Sequence, residues 1–291
     1  MKPAPFEYHR PTSVDEAVGL LAELGDEAKV LAGGQSLIPM LSLRLAVFGH
    51  LVDIGRIDGL SGIERRNGSL WIGAGTTEAA VGDHPDVVAS VPLLARSTPF
   101  IGHAAIRNRG TLGGSIAHAD AAAEYPAIAL ALDAQLDVAS PRGSRSIAAA
   151  DFFDGLWTTT MEPDELLVGV HFPVWEGRCG FAVDELARRH GDFAIAGAVV
   201  GVQLDADDVV RRCAIGLIGL AYTPVRARAA EASVLGNRLE EVDAAEVGRV
   251  AVAGLDEIPT DLNGDAAYRV RVGAAIVARA LAAAAEEARR G

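Results

Sequence analysis

The sequence predicts an α+β protein in two parts. Alternating strands and helices run to residue 176, and an antiparallel sheet followed by helices fills 177–291. Three observations carry this. Short apolar runs alternate with helix-start signals through the first part. The long apolar runs 193–204 and 209–220, joined by Asp205-Ala206-Asp207-Asp208, read as a hairpin. From residue 225 helical periodicity takes over.

The elements follow in order. Thr12-Ser13-Val14-Asp15-Glu16 opens a helix, with Ser13 as N-cap and Glu16 as its capping-box partner. Ala17, Leu21 and Leu24 mark its apolar face and Gly25 stops it. Residues 29–32 form a short buried strand, 37–45 a helix and 50–54 the next strand, a β-α-β unit. Residues 70–75 form a further strand, with Thr76 and Thr77 as caps ahead of Glu78. His84-Pro85 and Val91-Pro92 punctuate the helices that follow, and Pro99 breaks the helical run 93–106. Residues 121–132 read as a helix, 135–140 and 145–147 as a hairpin around Pro141 to Gly143, and 165–173 as the strand closing this region. Composition changes near Trp175 to Arg178. Beyond it come a strand at 181–187, the long hairpin, and helices near 225–235, 243–255 and 266–285.

Composition limits the function classes. The 291 residues are half hydrophobic, yet no run of about eighteen apolar residues is free of charge, so no membrane span is expected. The start lacks an apolar signal segment, which points to the cytoplasm. A net charge of −13 disfavours nucleic acid as a partner. Cys179 and Cys213 are too few and too far apart to hold zinc or an iron–sulfur cluster, so any cluster sits on another chain.

The chemistry gathers in two glycine-rich stretches. One is Ala32-Gly33-Gly34-Gln35-Ser36. The other runs from Ile101 to Glu124, with Thr111, Gly113, Gly114 and Ser115 after the basic Arg107-Asn108-Arg109 turn. Glycines without Cβ atoms expose backbone N–H groups to an anion, and nearby hydroxyls add donors. Two such loops suit two linked phosphates, hence a dinucleotide. Neither a P-loop nor a Rossmann fingerprint is present. His118 and Asp120 form a catalytic-looking pair, but no nucleophile motif accompanies them, so they read as polar cavity lining.

The segments AGGQSLIPML (32–41) and IRNRGTLGGSIAHADAAAE (106–124) resemble the two flavin-binding loops of the medium subunit of molybdenum-containing hydroxylases. The likeness is to the aerobic carbon-monoxide dehydrogenase and xanthine dehydrogenase group, and it spans nearly the whole chain. It implies a two-lobed FAD-binding domain of the PCMH type over 1–176, with a small β-α-β lobe at 1–55 and a larger lobe at 56–176. A C-terminal domain with a three-stranded antiparallel sheet and helices covers 177–291.

The resemblance implies FAD on this chain, held by Lys29, Ala32, Gly33, Gly34, Gln35, Ser36, Leu37, Ile101, Thr111, Gly113, Gly114, Ser115, Asp120, Glu124, Leu167 and Phe193. Asp120 and Glu124 would face the sugar-like hydroxyls, Ile101 and Leu167 the flavin rings, and Phe193 would stack near them. Arg107 and Arg109 would shape the loop. No residue need act as acid, base or metal ligand. Two departures stand out: Phe193 where tyrosine is common, and Ala121 where the family pattern has proline.

The family likeness further implies a large molybdenum-cofactor subunit and a small [2Fe–2S] subunit, as a dimer of heterotrimers. Electrons would pass from the clusters through FAD to a quinone, NAD or oxygen, in the cytoplasm or at the inner face of the membrane. Two other classes compete. A self-contained flavin oxidase would turn over without partners, and a flavin-lacking scaffold would be colourless.

Overall fold

The computed structural model describes residues 2–291. Strand β1 (Glu7–His9), helix α1 (Val14–Leu24), β2 (Ala28–Leu31), α2 (Leu37–Ser42) and β3 (His50–Asp53) make up the small lobe, with a parallel sheet in the order β1-β3-β2. Ser13 caps α1 by accepting from the Glu16 N–H at 3.1 Å. The Glu16 carboxylate reaches back to the N–H of Thr12, not of Ser13, at 2.8 Å. Gly25 ends the helix at φ 54. Strand β1 is an addition to the β-α-β unit expected from sequence. At three residues it is too short for alternation to reveal, and His9 Nε2 meets His50 Nδ1 at 3.1 Å across it.

The larger lobe begins with β4 (Ile63–Arg66) and β5 (Ser69–Gly73). Six helices follow: α3 (Glu78–Asp83), α4 (Pro85–Ser90), α5 (Pro92–Ser97), α6 (Ala104–Arg107), α7 (Leu112–His118) and α8 (Glu124–Ala131). Strands β6 (Gln135–Ser140), β7 (Gly143–Ala148), β8 (Phe153–Gly155), β9 (Thr158–Thr159) and β10 (Leu166–Pro173) complete it. An antiparallel sheet runs β4-β5-β10-β6-β7, with β8 and β9 as a separate small hairpin. Strand β4 is mostly exposed and charged (IERR), so its sequence carries no strand signal.

The C-terminal region holds β11 (Arg178–Leu186), β12 (Ala196–Leu204), β13 (Val210–Ile218) and β14 (Val225–Arg226) in one antiparallel sheet, then α9 (Arg228–Val234), α10 (Ala244–Ala253) and α11 (Ala266–Arg290). The sheet gains a fourth strand, β14. Two residues at the start of the expected helix 225–235 pair with Gly216 and Leu217 before the helix begins.

Strand β12 is buried on both faces. Ala198, Val200 and Val202 pack with Ile276, Val277 and Ala280 of α11, while Val199 joins the core of the larger lobe beside Ala127 and Ile128. That double burial, with each buried valine or isoleucine contributing about 1.5–3 kcal/mol, seats the C-terminal sheet on α8. Two glycines permit close approach here. A Cβ on Gly180 would lie 2.5 Å from the Ala288 N of α11, and one on Gly216 would lie 2.6 Å from the Ala127 O of α8. Polar ties reinforce the seam. Arg96 of α5 donates to Glu287 of α11 at 2.6 Å through each of two nitrogens, and Glu287 accepts from the Phe181 N–H at 3.0 Å.

No helix among the described residues is long and apolar enough to cross a membrane. Cys213 is buried and Cys179 half-buried, both free thiols.

Candidate functional site

After β2 the chain turns through Ala32 to Ser36 into α2. Among the described residues, the backbone N–H groups of Gly33, Gly34, Gln35, Ser36 and Leu37 meet no acceptor of the chain. The turn is held instead by its carbonyls: Gly33 O accepts from Gln35 Nε2 at 3.0 Å, and Gly34 O from the Ile38 N–H at 3.1 Å. Gly34 sits at φ 74 and Ser36 is right-handed helical. Mixed-handed backbone of this kind presents successive N–H groups to an anion.

The second stretch differs from expectation. Thr111 to Ser115 is no loop but the cap and start of α7, and its N–H groups from Leu112 to Ser115 are already used. Thr111 Oγ1 accepts from the Gly114 N–H at 3.0 Å, Thr111 O from Ser115 at 3.0 Å, and Ala74 O from Gly113 at 2.9 Å. Helix capping consumes the donors that the glycines seemed to leave open. What remains for a ligand, among the described residues, are the hydroxyls of Thr111 and Ser115 and the Thr111 N–H. The glycines serve packing: a Cβ on Gly113 would stand 2.6 Å from Ala74 Cα, and one on Gly33 2.6 Å from Gly110 Cα. Gly33 and Gly110 thus bring the two stretches together backbone to backbone.

Between them lies a cavity of about 700 Å³, in the range of small-molecule and cofactor sites. All sixteen residues singled out from the sequence line it: Lys29, Ala32 to Leu37, Ile101, Thr111, Gly113, Gly114, Ser115, Asp120, Glu124, Leu167 and Phe193. Phe193 precedes β12 by three residues rather than starting it, and at 67 % exposure it hangs over the opening as a loop residue. Arg107 and Arg109 do not line the cavity. Arg107 Nη1 donates to the carbonyls of Ile101 (3.0 Å) and Gly102 (2.9 Å), shaping the segment that carries the Ile101 wall. Thr76 and Thr77 also stay off the cavity. Thr77 caps α3 by accepting from Ala80, and Thr76 bonds Gly62. At the far end Gly191 approaches Gly102, where an added Cβ would be 2.8 Å from Gly102 O, so the larger lobe and the C-terminal region together form the wall.

His118 and Asp120 make no hydrogen bond to each other. Asp120 Oδ1 accepts from the Ala122 N–H at 2.9 Å, while His118 lies flat against Trp157 with ring centroids 6.1 Å apart. Burial lowers the His118 pKa, against the pull of Asp120. Trp157, at φ 54 on the β8–β9 turn, is a lining residue that sequence reasoning missed. An exposed tryptophan in a turn carries no sequence signal of a site.

Glu78, read from sequence only as a helix start, also lines the cavity and is 5 % exposed. Burial pushes its carboxyl up to about 7, opposed by Arg107. Glu124 is pushed up to about 8, by burial first and then by Glu185, with Glu78 and Asp120 adding. Both values stand above the ordinary 4.5, so the folded chain holds protons that the unfolded chain releases. Their contribution to stability is full below about pH 4.5 and is lost as pH rises through about 7 and 8. The ligand-free protein is expected to melt at lower temperature at pH 8.5 than at pH 5.5, each carboxyl supplying up to about 1.4 kcal/mol per pH unit inside its window. Glu124→Gln should flatten the curve in a melting series. An unchanged slope would show that Glu124 titrates normally.

Two family models match the chain in successive stretches. Residues 4–175 match the family described as FAD binding domain in molybdopterin dehydrogenase, and residues 181–284 match the CO dehydrogenase flavoprotein C-terminal domain. The chain is 41 % identical over 289 residues to the 6-hydroxypseudooxynicotine dehydrogenase complex subunit alpha of Paenarthrobacter nicotinovorans, covering 99 % of this chain and 97 % of that one. It is 40 % identical over 286 residues to the carbon monoxide dehydrogenase medium chain of Hydrogenophaga pseudoflava, covering 98 % of each. A solved structure of carbon monoxide dehydrogenase from Hydrogenophaga pseudoflava superposes with a TM-score of 0.95 at 40 % identity, covering 99 % of both chains.

Proposed function

Because this chain belongs to the family of FAD-binding medium subunits of molybdenum-containing hydroxylases, we propose that the cavity between its two glycine-rich stretches is the FAD site of such an assembly. The observation that carries the placement is the run of five backbone N–H groups from Gly33 to Leu37 with no acceptor among the described residues, opening on a cavity of about 700 Å³. A pyrophosphate supplies the acceptors those donors lack, each charge-assisted bond contributing about 1.5–3 kcal/mol. The hydroxyls of Thr111 and Ser115 add donors from the opposite side. Asp120 and Glu124 face the hydroxyl-bearing chain of the cofactor. Ile101 and Leu167 offer apolar walls for its rings, and Phe193 offers a ring at the opening.

When bound, the flavin supplies the electron relay between the small partner's [2Fe–2S] clusters and an external acceptor, a quinone, NAD or oxygen. This chain's residues bind and orient it and set its electrostatic surroundings. The substrate is recognised on the large molybdenum subunit, which fits relatives whose names carry substrates as unlike as carbon monoxide and a nicotine derivative. The assembly is a cytoplasmic dimer of heterotrimers in this reading.

Native mass spectrometry of the chain isolated from its own source tests the proposal. We expect one FAD per copy, in a complex with a large molybdenum chain and a small iron–sulfur chain. A partner complex without flavin would refute the FAD site. A lone FAD-bearing chain that turns over by itself would instead make the protein a self-contained oxidase.

A further inference from the structure

Glu78 is left without a task by the binding reading. It opens α3, and Gly110 closes over it so tightly that a Cβ there would come 2.5–2.7 Å from the carboxyl atoms. The residue is 5 % exposed and lines the cavity, and Oε2 is sealed with no hydrogen-bond partner. Among the described residues no donor reaches either of its oxygens. The charged and titratable groups facing it are few. Arg107 of α6 is the cation, already bonded to two carbonyls. From α8 come Glu124 and Tyr125, the tyrosine hydroxyl held by Thr98 at 2.8 Å. Arg96 of α5 is engaged with Glu287, and Asp86 of α4 with Arg65.

A buried carboxylate with an orphaned oxygen is costly when ionised, whereas a neutral carboxyl there has a proton to offer a ligand in the cavity. Which form prevails depends on the charge beside it. Burial has brought Glu78 to about 7, so both forms are populated at neutral pH, and negative charge arriving nearby tips the balance to the neutral one.

We propose that Glu78 is a proton-uptake group for the flavin: its carboxylate takes a proton from water as electrons reach the bound cofactor, cancelling negative charge that they bring. This rests on the FAD reading above. The balance is simple. Two electrons move from the partner's clusters to the flavin, and one O–H bond forms on Glu78 with a proton from solvent. Both electrons and proton leave when the acceptor is reduced. Glu78 forms no bond to the cofactor, so its role is one of charge compensation.

The test is the flavin midpoint potential of the purified complex between pH 6 and 8, in the wild type and in Glu78→Gln, which fixes the neutral form. The wild-type potential should fall more steeply with pH, by up to one extra proton per two electrons. That is a tenfold change in the reduction equilibrium per pH unit, or about 30 mV. The two proteins should agree near pH 6 and diverge toward pH 8, the variant having the higher potential. Parallel lines from two yellow complexes would overturn this proposal alone; a colourless wild-type complex would remove the FAD reading with it. If Glu78→Gln fails to assemble, infrared difference spectra on flavin reduction decide the matter with Glu78→Asp. A protonated-carboxyl band should appear in the wild type and shift in the aspartate variant. No such band, or one that does not shift, sinks the idea.

Discussion

Gly33→Val is expected to empty the cavity of FAD while leaving the chain folded. The new Cβ would have to occupy space 2.6 Å from Gly110 Cα and 2.8 Å from the Arg109 carbonyl carbon, both backbone atoms that cannot rotate away. The two glycine-rich stretches must then separate, and the N–H groups of residues 33–37 leave the anion position. Overpacking of this kind costs about 3 kcal/mol, equivalent to roughly a 150-fold weaker Kd. The check is a flavin titration followed by fluorescence, with Gly19→Ala as control. Gly19 lies in α1 with nothing within 4 Å of an added Cβ, and that change favours the helix by about 0.5–1 kcal/mol. Equal flavin affinity in Gly33→Val and wild type would mean that the pyrophosphate is bound elsewhere.

Arg226→Met should have the largest effect on stability, about 3–5 kcal/mol, the usual cost of leaving a buried charge without its partner. For a chain of this size that lowers Tm by roughly 10 °C. The Arg226 and Glu231 side chains are 8 % and 7 % exposed and meet at 2.7 Å. Arg226 also reaches Asp133 at 2.5 Å, on the turn after α8, so it ties the C-terminal sheet to the larger lobe. Glu231 accepts the Ile215 N–H as well, at 2.8 Å. After the substitution its charge would rest on that one donor. Thermal melts of the single variant and of Arg226→Met/Glu231→Leu separate the two contributions. The double variant should recover some of the loss, because an apolar pair of similar volume leaves no buried charge. A double variant as unstable as the sum of its singles would show that the pair is not coupled.

Sequence reasoning reached the fold where elements are long or punctuated. The Ser13 cap, the Val91-Pro92 break and the Asp205 to Asp208 turn are local signals, and the structure follows each. It fell short where an element exists only through its partners. β1 and β14 are two or three residues that pair because a neighbouring strand offers an edge, and β4 is charged because one face meets water. At the cavity, the sixteen positions that the family resemblance implied line one space, but the reading of the glycine-rich run misassigned the donors of the second stretch. A glycine-rich run reads alike whether its N–H groups are free or capped, and only the fold shows Thr111 and Ala74 consuming them. Glu78 and Trp157 were illegible for a related reason: one is a carboxyl whose burial is set by Gly110, the other a turn residue carried over the opening by β8 and β9.

The wall that Ile101 and Gly102 share with Gly191 to Phe193 spans the seam between the larger lobe and the C-terminal region. Any molecule gripping both sides is thermodynamically linked to how firmly those sides are docked, and linkage runs in both directions. Occupancy of the cavity therefore acts as a distant fastener for the Arg96–Glu287 tie and for α11. Loosening that helix should weaken the hold on a molecule that grips both sides by the same factor.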